Sequence, residues 1–144
     1  MLKKYSIPQS TSSDSHELNT ITKLSKASWG YSKEQICAWS DDLTITSKYI
    51  RENEIYKLLI NNEIVGYYSY FKIQPLSILL DNIFILPKYI HKGYGKILML
   101  DLFTRVANDG ICIIRLYSEP KAQLFYQKLG FTPKGQYHTK ISNR

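Results

Sequence analysis

The segment from Asp81 to Lys96, DNIFILPKYIHKGYGK, joins an apolar strand to a glycine-punctuated turn that opens a helix. Backbone N–H groups at the start of a helix together carry roughly half a positive charge. Gly93 and Gly95 remove the side chains that would keep an anion from reaching these groups. The pattern therefore predicts an anion-binding turn and a ligand that ends in phosphates.

The elements on either side of this turn predict a parallel βαβ unit. The strand, about Ser77–Leu86, is apolar on both faces apart from Asp81 and Asn82, which is typical of a central strand. Residues Gly95–Asn108 have one apolar face and predict a half-buried helix. Because a further strand, Ile111–Tyr117, follows this helix, the two strands are expected to run parallel.

The rest of the chain predicts a hairpin and one more helix around this unit. Segments Glu54–Ile60 and Ile64–Phe71 are rich in β-branched and aromatic residues and are joined by Asn61-Asn62-Glu63. After the βαβ unit, a helix is predicted from Pro120 to Gly130, and a last strand is predicted within Thr132–Ile141.

The N-terminal part predicts a short strand and two helices. The strand lies near Lys3–Ile7, and the first helix stops by Gly30. Trp39, in the second helix, is predicted to pack in the core. Each helix starts with a capping-box pattern, Asp14 with Glu17 and Ser32 with Gln35.

Composition restricts the class of protein. With 144 residues, 44% of them hydrophobic, the chain fits one domain over residues 1–144. Cys37 and Cys112 lie far apart without ligand spacing, so we expect reduced thiols, no metal and a cytoplasmic location. No stretch approaches the length of a membrane span. The net charge of +7 is spread singly along the chain, which disfavours a nucleic-acid stripe.

Two motifs together resemble the GNAT superfamily of acetyl-CoA-dependent N-acetyltransferases. They are Ile85-x-Pro87 with Gly93-x-Gly95, and Phe125-Tyr126-x-Lys128-Leu129-Gly130-Phe131 some 30 residues downstream. The resemblance implies an α/β fold with a central mixed sheet, splayed parallel strands, two N-terminal helices and two flanking helices. It also implies acetyl-CoA as cosubstrate and an amine as acceptor, whereas composition and charge already disfavour a metal, nucleic acid or a membrane.

The resemblance implies where acetyl-CoA would bind. The pantetheine arm would lie between the splayed strands and bond to the backbone of the strand before the proline, at Phe84, Ile85 and Leu86. The diphosphate would lie on the turn and the start of the following helix, at His91, Lys92, Gly93, Tyr94, Gly95 and Lys96.

The resemblance also suggests roles for four side chains. Tyr126 matches the general acid that protonates the departing thiolate. Asp81 is the candidate base, or else it only accepts hydrogen bonds at a strand bulge. Trp29 and Tyr31 match the family's acceptor pocket, where aromatic faces can hold a cation, although core packing is equally compatible with Trp29.

The chain also departs from the family pattern. The usual Arg or Gln before the first motif glycine is Ile90, and an Asn often found in the second motif is Glu119, which we interpret as a solvated acid. After Phe131 the chain is short, so we expect an abbreviated C-terminal hairpin or a homodimer in which a second subunit completes the acceptor pocket. The resemblance implies direct transfer of an acetyl group from acetyl-CoA to a primary amine of a small molecule or peptide. A non-catalytic acyl-CoA-binding module remains the alternative.

Overall fold

In the computed structural model, residues 4–38 and 44–134 are described, and they form a four-stranded mixed sheet with helices on both faces. The strands are β1 (Glu54–Ile60), β2 (Glu63–Gln74), β3 (Ser77–Ile85) and β4 (Ile113–Leu116). The helices are α1 (Ser15–Ser28), α2 (Lys33–Ala38), α3 (Ser47–Glu52), α4 (Tyr94–Asn108) and α5 (Gln123–Lys128). Short 3₁₀ turns lie at Ser12–Asp14, Pro87–Tyr89 and Pro120–Ala122.

The sheet has the order β1-β2-β3-β4 and confirms the predicted mixed topology. β1 and β2 are antiparallel, and Asn61 and Asn62 between them both have positive φ, 53° and 63°, as a tight two-residue hairpin turn requires. β2 and β3 are also antiparallel, whereas β3 and β4 are parallel. The strand-helix-strand order around α4 therefore gives the parallel pair that the sequence predicts.

The parallel strands β3 and β4 pair over only four residues each. The pairing runs from Ser77 with Ile113 to Leu80 with Leu116, and β3 continues for five further residues without a β4 partner. The two strands thus separate after Leu80, which confirms the predicted splay.

A β-bulge in β3 lies at the point of separation. Ser69 of β2 is opposite Asn82 and Tyr70 is opposite Leu80, so Asp81 is the extra residue. An inserted residue shifts the side-chain alternation of a strand. The Asp81 and Asn82 side chains consequently both reach the Tyr49 hydroxyl of α3, which explains two polar residues within an apolar strand.

Two apolar clusters hold helices against the two faces of the sheet. On one face, Leu98, Met99 and Leu102 of α4 are fully buried against the sheet. On the other face, Leu18 and Ile21 of α1 pack with residues of α3, β1, β2 and β3. The apolar face predicted for residues Gly95–Asn108 is therefore the buried one.

Several local predictions differ from the structure. The N-terminal strand is replaced by isolated bridges, Ser6 with Leu59 and Gln9 with Tyr56, because Pro8 between them has no N–H to donate. The first capping box joins Thr11 and Asp14 rather than Asp14 and Glu17, so the helical turn begins earlier. The second, Ser32 with Gln35, is confirmed.

The remaining differences concern α3, Trp39 and the last predicted strand. Helix α3 was not predicted at all. Trp39 and residues 135–141 of the last predicted strand lie outside the described residues, and 132–134 are not in a strand.

Candidate active site

A cleft of about 180 Å³ opens where β3 and β4 separate. β3 supplies one wall, and the residues after β4, with α5, supply the other. The C-terminal end of α1 and the start of α4 close its ends. The residues that line the cleft include Ser25, Lys26, Trp29, Asp81, Phe84, Ile85, Gly95, Glu119, Phe125 and Tyr126.

The glycine turn at one end of the cleft fits an anion. Gly93 caps α4 with a φ of +89°, and no side-chain hydrogen bond caps the start of this helix. The first N–H groups of a helix point outward along its axis, where an anion can accept from them. A Cβ on Gly95 would lie 3.4 Å from the Phe125 ring, so glycine keeps the helix start open toward the cleft. Lys92 and Lys96 beside it are exposed. A diphosphate would meet the amides of the helix start and positive charge here.

Beyond Leu80, one backbone edge of β3 faces the cleft instead of β4, so an extended ligand could bind along it. Leu86 N donates to Val65 O of β2 at 2.8 Å, so the backbone groups of Ile85 point the opposite way, toward the cleft. The Ile85 carbonyl accepts a hydrogen bond from Ser25 Oγ at 2.7 Å. Leu86 itself does not line the cleft, since its N–H belongs to the sheet.

Tyr126 lies in the cleft wall formed by α5. Its ring packs edge-on against Phe125 and Phe131, with centroid distances of 5.2 Å and 5.8 Å. Within the described residues its hydroxyl makes no hydrogen bond. Burial, and to a lesser extent the charge of Glu119, raises the pKa of Tyr126 well above its ordinary value. The phenol therefore keeps its proton and remains a donor at neutral pH.

Asp81 lies in the opposite wall within a polar network. Its Oδ2 accepts a short hydrogen bond from the Tyr49 hydroxyl and a longer one, 3.4 Å, from the Asn82 amide. Asn82 also donates to Ser69 Oγ at 3.0 Å. Burial and the neighbouring Asp81 charge raise the pKa of Tyr49, so this phenol is a permanent donor to the carboxylate. The network fixes the Asp81 carboxylate at the bulge.

A buried ion pair, which was not predicted, lies beside the aromatic loop. Lys26 Nζ is 2.6 Å from Glu119 Oε1, and the two residues are 1% and 8% exposed. The interpretation of Glu119 as a solvated acid is therefore wrong, because the carboxylate is held by a buried cation. Tyr31 donates to Glu119 Oε2 at 2.8 Å, and burial with this bond raises the pKa of Tyr31 to about 12.

Aromatic rings surround the same ammonium group. Lys26 Nζ lies 4.8 Å from the ring centroid of Trp29, 5.4 Å from that of Tyr31 and 5.8 Å from that of Phe84. The rings assigned to an acceptor cation thus already contact a cation of the chain itself. No local pattern could have found this pair, because its members are 93 residues apart in the sequence.

The cleft brings together some of the sequence-predicted site residues but not all. Trp29, Asp81, Phe84, Ile85, Gly95 and Tyr126 line it, and Tyr31 reaches it through Glu119. The other turn residues lie beyond it: His91, Lys92, Gly93 and Lys96 are exposed, and Tyr94 is buried against Tyr89.

Residues 4–38 and 44–134 contain neither a candidate metal-binding cluster nor a candidate membrane-spanning helix. Within these ranges no three His, Cys, Asp or Glu side chains cluster closely enough to bind a metal ion. None of the helices found there has both the length and the apolar composition needed to cross a bilayer.

Comparisons with solved structures reveal the same fold. PaiA N-acetyltransferase from Thermoplasma acidophilum, solved in complex with coenzyme A, is 22% identical with a TM-score of 0.81, over 91% of each chain. A GCN5-related N-acetyltransferase from Ralstonia eutropha JMP134 is 13% identical with a TM-score of 0.78, over 94% of this chain and 97% of that one. A Trypanosoma brucei acetyltransferase is 20% identical with a TM-score of 0.68, over 93% and 96%.

Comparison with curated protein sequences finds no relative. A family model described as Acetyltransferase (GNAT) domain matches residues 51–133, which include β1 to β4, the glycine turn and Tyr126. Since this match spans more than half of the sequence, the chain belongs to the GNAT family of acetyltransferases, which take the acetyl group from acetyl-CoA.

Proposed function

We propose that this protein transfers an acetyl group from acetyl-CoA to a primary amine by direct attack within a ternary complex. The main support for this proposal is the set of groups around the cleft. The cleft between the separated strands has a phenol on one wall, a fixed carboxylate on the other and a helix start without a side-chain cap at its end. These are the parts that amine acetylation requires.

The chain's own residues would orient acetyl-CoA, which supplies the activated acetyl thioester. The first-turn amides of α4, with Lys92 and Lys96, would hold the diphosphate. The cleft-facing backbone of Ile85, with Phe84 beside it in the cleft wall, would hold the pantetheine arm. Charge-assisted hydrogen bonds contribute about 1.5–3 kcal/mol each, so a few of them suffice for micromolar affinity of about −8 kcal/mol.

The acceptor must lose a proton before it can attack. An alkylamine with a pKa near 10.4 is neutral in only about one part in 2,500 at pH 7, a deficit of about 4.6 kcal/mol. In our proposal Asp81, held at the bulge by Tyr49, removes this proton directly or through water. The network around Asp81 keeps the carboxylate directed while the amine binds.

The leaving thiolate must gain a proton. Tyr126 is the proposed donor, because its phenol is protonated at neutral pH and has no other hydrogen-bond partner among the described residues. Cys37 and Cys112 are exposed and do not line the cleft, which favours direct transfer over a covalent intermediate.

The first test is Tyr126→Phe in a thiol-release assay over a panel of amines. We expect kcat to fall about 100-fold or more, with the KM for acetyl-CoA changed less than about threefold, because only the proton donor is removed. Tyr5→Phe, on the far edge of the sheet beyond β1, is the matched control and should leave kcat unchanged. An unchanged kcat in Tyr126→Phe would exclude the acid role. Binding of acetyl-CoA without release of thiol for any amine would instead support the non-catalytic module.

The second test separates the two interpretations of Asp81. Asp81→Asn keeps an acceptor for the Tyr49 hydroxyl, so the bulge should survive. If Asp81 is the base, kcat/KM at pH 7 falls about 100-fold and recovers as rising pH deprotonates the amine without help. A variant with wild-type kcat/KM across the pH range would assign Asp81 to the bulge alone.

Three expectations from the sequence stay predictions. They are a single domain over residues 1–144, a cytoplasmic location and a homodimer. Sedimentation equilibrium with and without acetyl-CoA addresses the homodimer.

A further inference from the structure

Lys26 is a primary amine buried inside the candidate acetyl-transfer cleft. It lines the cleft, yet only 1% of its surface is exposed to solvent. Lysine is rarely buried to this extent without a partner that satisfies its charge. Here the partner is Glu119, and three aromatic rings complete the surroundings of the ammonium group.

The groups that acetylation of an amine needs are therefore all present within the chain. Lys26 supplies the amine, Glu119 Oε1 lies 2.6 Å from it as a proton acceptor, and Tyr126 in the same cleft supplies a phenol. Phe84, whose ring centroid is 5.8 Å from Lys26 Nζ, belongs to the strand along which the pantetheine arm is proposed to lie. The amine is thus next to the proposed path of the thioester.

We propose that Lys26 is a self-acetylation site of this protein. The inference rests on the proposed function, since it requires acetyl-CoA in the cleft. It adds a modification site within the chain and does not depend on which external amine is the acceptor.

The chemistry of the step balances without an additional reagent. The Lys26 ammonium gives one proton to Glu119, and the neutral nitrogen forms a C–N bond to the thioester carbonyl carbon. The C–S bond breaks, and the thiolate takes a proton from Tyr126, which regains it from the nitrogen. The products are neutral acetyl-lysine, coenzyme A with a free thiol, and one proton released through Glu119.

The surroundings of Lys26 determine the rate and the consequence of this step. Self-acetylation should be slower than transfer to an external amine, because Lys26 must first give up its ion pair with Glu119. Once acetylated, Lys26 no longer compensates the charge of Glu119, and its acyl group extends into the cleft. Acetylated protein should therefore have lower activity than unmodified protein.

Mass spectrometry of the full chain tests the proposal. The protein is incubated with acetyl-CoA and no added amine, and acetyl groups are counted by intact mass and located by peptide fragmentation. We expect one acetyl group on Lys26, formed at a rate per molecule that does not change with protein concentration. Protein already acetylated at Lys26 on purification would support the same conclusion.

Lys23 and Lys121 are the internal controls, because both are exposed, one on the same helix and one near the mouth of the cleft. Non-enzymatic acetylation would modify exposed lysines first and would leave a buried one untouched. Glu119→Gln should slow acetylation of Lys26 at least 10-fold while leaving Lys23 unaffected. Lys26→Arg, which keeps the charge, should abolish the single modification, and circular dichroism confirms that each variant is folded.

Acetyl groups on exposed lysines only, or none at all, would overturn the proposal. Calorimetry with acetyl-CoA and thiol release with external amines are measured on the same preparation. If acetyl-CoA binds and external amines are acetylated while Lys26 stays unmodified, the self-acetylation fails and the proposed function stands. If acetyl-CoA does not bind, both fail.

Discussion

At the scale of single residues, Gly66 shows how the cleft wall depends on one missing methyl group. A Cβ at this position in β2 would lie 2.9 Å from the Phe84 carbonyl oxygen and 3.1 Å from Ile85 Cγ1. Both contacts are with the part of β3 that faces the cleft. Glycine therefore permits β2 and β3 to approach closely where the ligand is proposed to bind.

Gly66→Ala should lower the free energy of unfolding by about 1–3 kcal/mol, because the β3 backbone must shift to admit the new methyl group. The same shift should weaken acetyl-CoA binding. Urea denaturation measures the first effect and calorimetry the second. A variant with wild-type stability would show that β3 moves without strain.

Gly95→Ala is the complementary change, since its Cβ would make ordinary contact with Phe125 at 3.4 Å. Alanine in place of glycine near the start of α4 should raise stability by up to about 1 kcal/mol. The methyl group should nevertheless weaken acetyl-CoA binding, because it faces the cleft. Equal stability and affinity in variant and wild type would contradict the proposed placement of the diphosphate.

At the scale of elements, the Lys26–Glu119 pair joins α1 to the connection between β4 and α5. Two further hydrogen bonds strengthen this link. Tyr31 donates to Glu119, and Lys121 Nζ donates to the Trp29 carbonyl oxygen at 2.9 Å. Helix α5 has only six residues and no fully buried side chain. This link is therefore a principal anchor of the helix that carries Tyr126.

A double-mutant cycle tests the anchor. Lys26→Met leaves Glu119 as an uncompensated buried charge and should cost about 3–5 kcal/mol of the free energy of unfolding. Adding Glu119→Gln to Lys26→Met should restore most of that loss, because no buried charge then remains. Additive losses in the double variant, measured by urea denaturation, would show that the pair is not coupled.

The sequence predicted the elements that have strong periodic patterns. β3, α4 and the hairpin turn at Asn61 and Asn62 all lie where propensity and turn chemistry place them. Helix α3 escaped prediction because it has six residues and one buried side chain, Ile50, so no amphipathic pattern can develop. Pro8 likewise prevented a regular N-terminal strand.

Only those residues of the candidate site that belong to a sequence motif could be predicted. Tyr126 and Gly95 belong to such motifs, and both line the cleft. Lys26 and Glu119 become neighbours only through the tertiary fold. The hydrogen bond from Tyr49 to Asp81 spans 32 residues and depends on the unpredicted α3 and on the bulge. Such contacts carry no local signal in a single sequence.

At the scale of the whole molecule, buried phenols should dominate the response to alkaline pH. The chain has 12 tyrosines. Burial is the largest cause that raises the pKa of several of them, to about 12 for Tyr31 and higher for the others. These others are Tyr49, Tyr68, Tyr70 and Tyr126.

A phenol that holds its proton more tightly in the folded chain contributes stability that is complete below pH about 10, the ordinary tyrosine pKa. That contribution falls as the pH rises from about 10 toward the folded-state value, because the unfolded chain has by then released its protons. Urea denaturation should show that this contribution to stability stays constant from pH about 8 to about 10 and decreases between about 10 and about 11. The phenolate absorbance of folded protein should develop in two stages, exposed tyrosines first. A single stage near pH 10 would contradict the prediction.

The early separation of β3 from β4 leaves the last five residues of β3, in the middle of the sheet, without a β4 partner. The pantetheine arm, an extended chain with amide groups, would hydrogen-bond to this edge as a neighbouring strand does. Acetyl-CoA would then stabilise the folded protein as well as supply the acetyl group. Protein kept without it should be the more vulnerable to proteases and to self-association during storage.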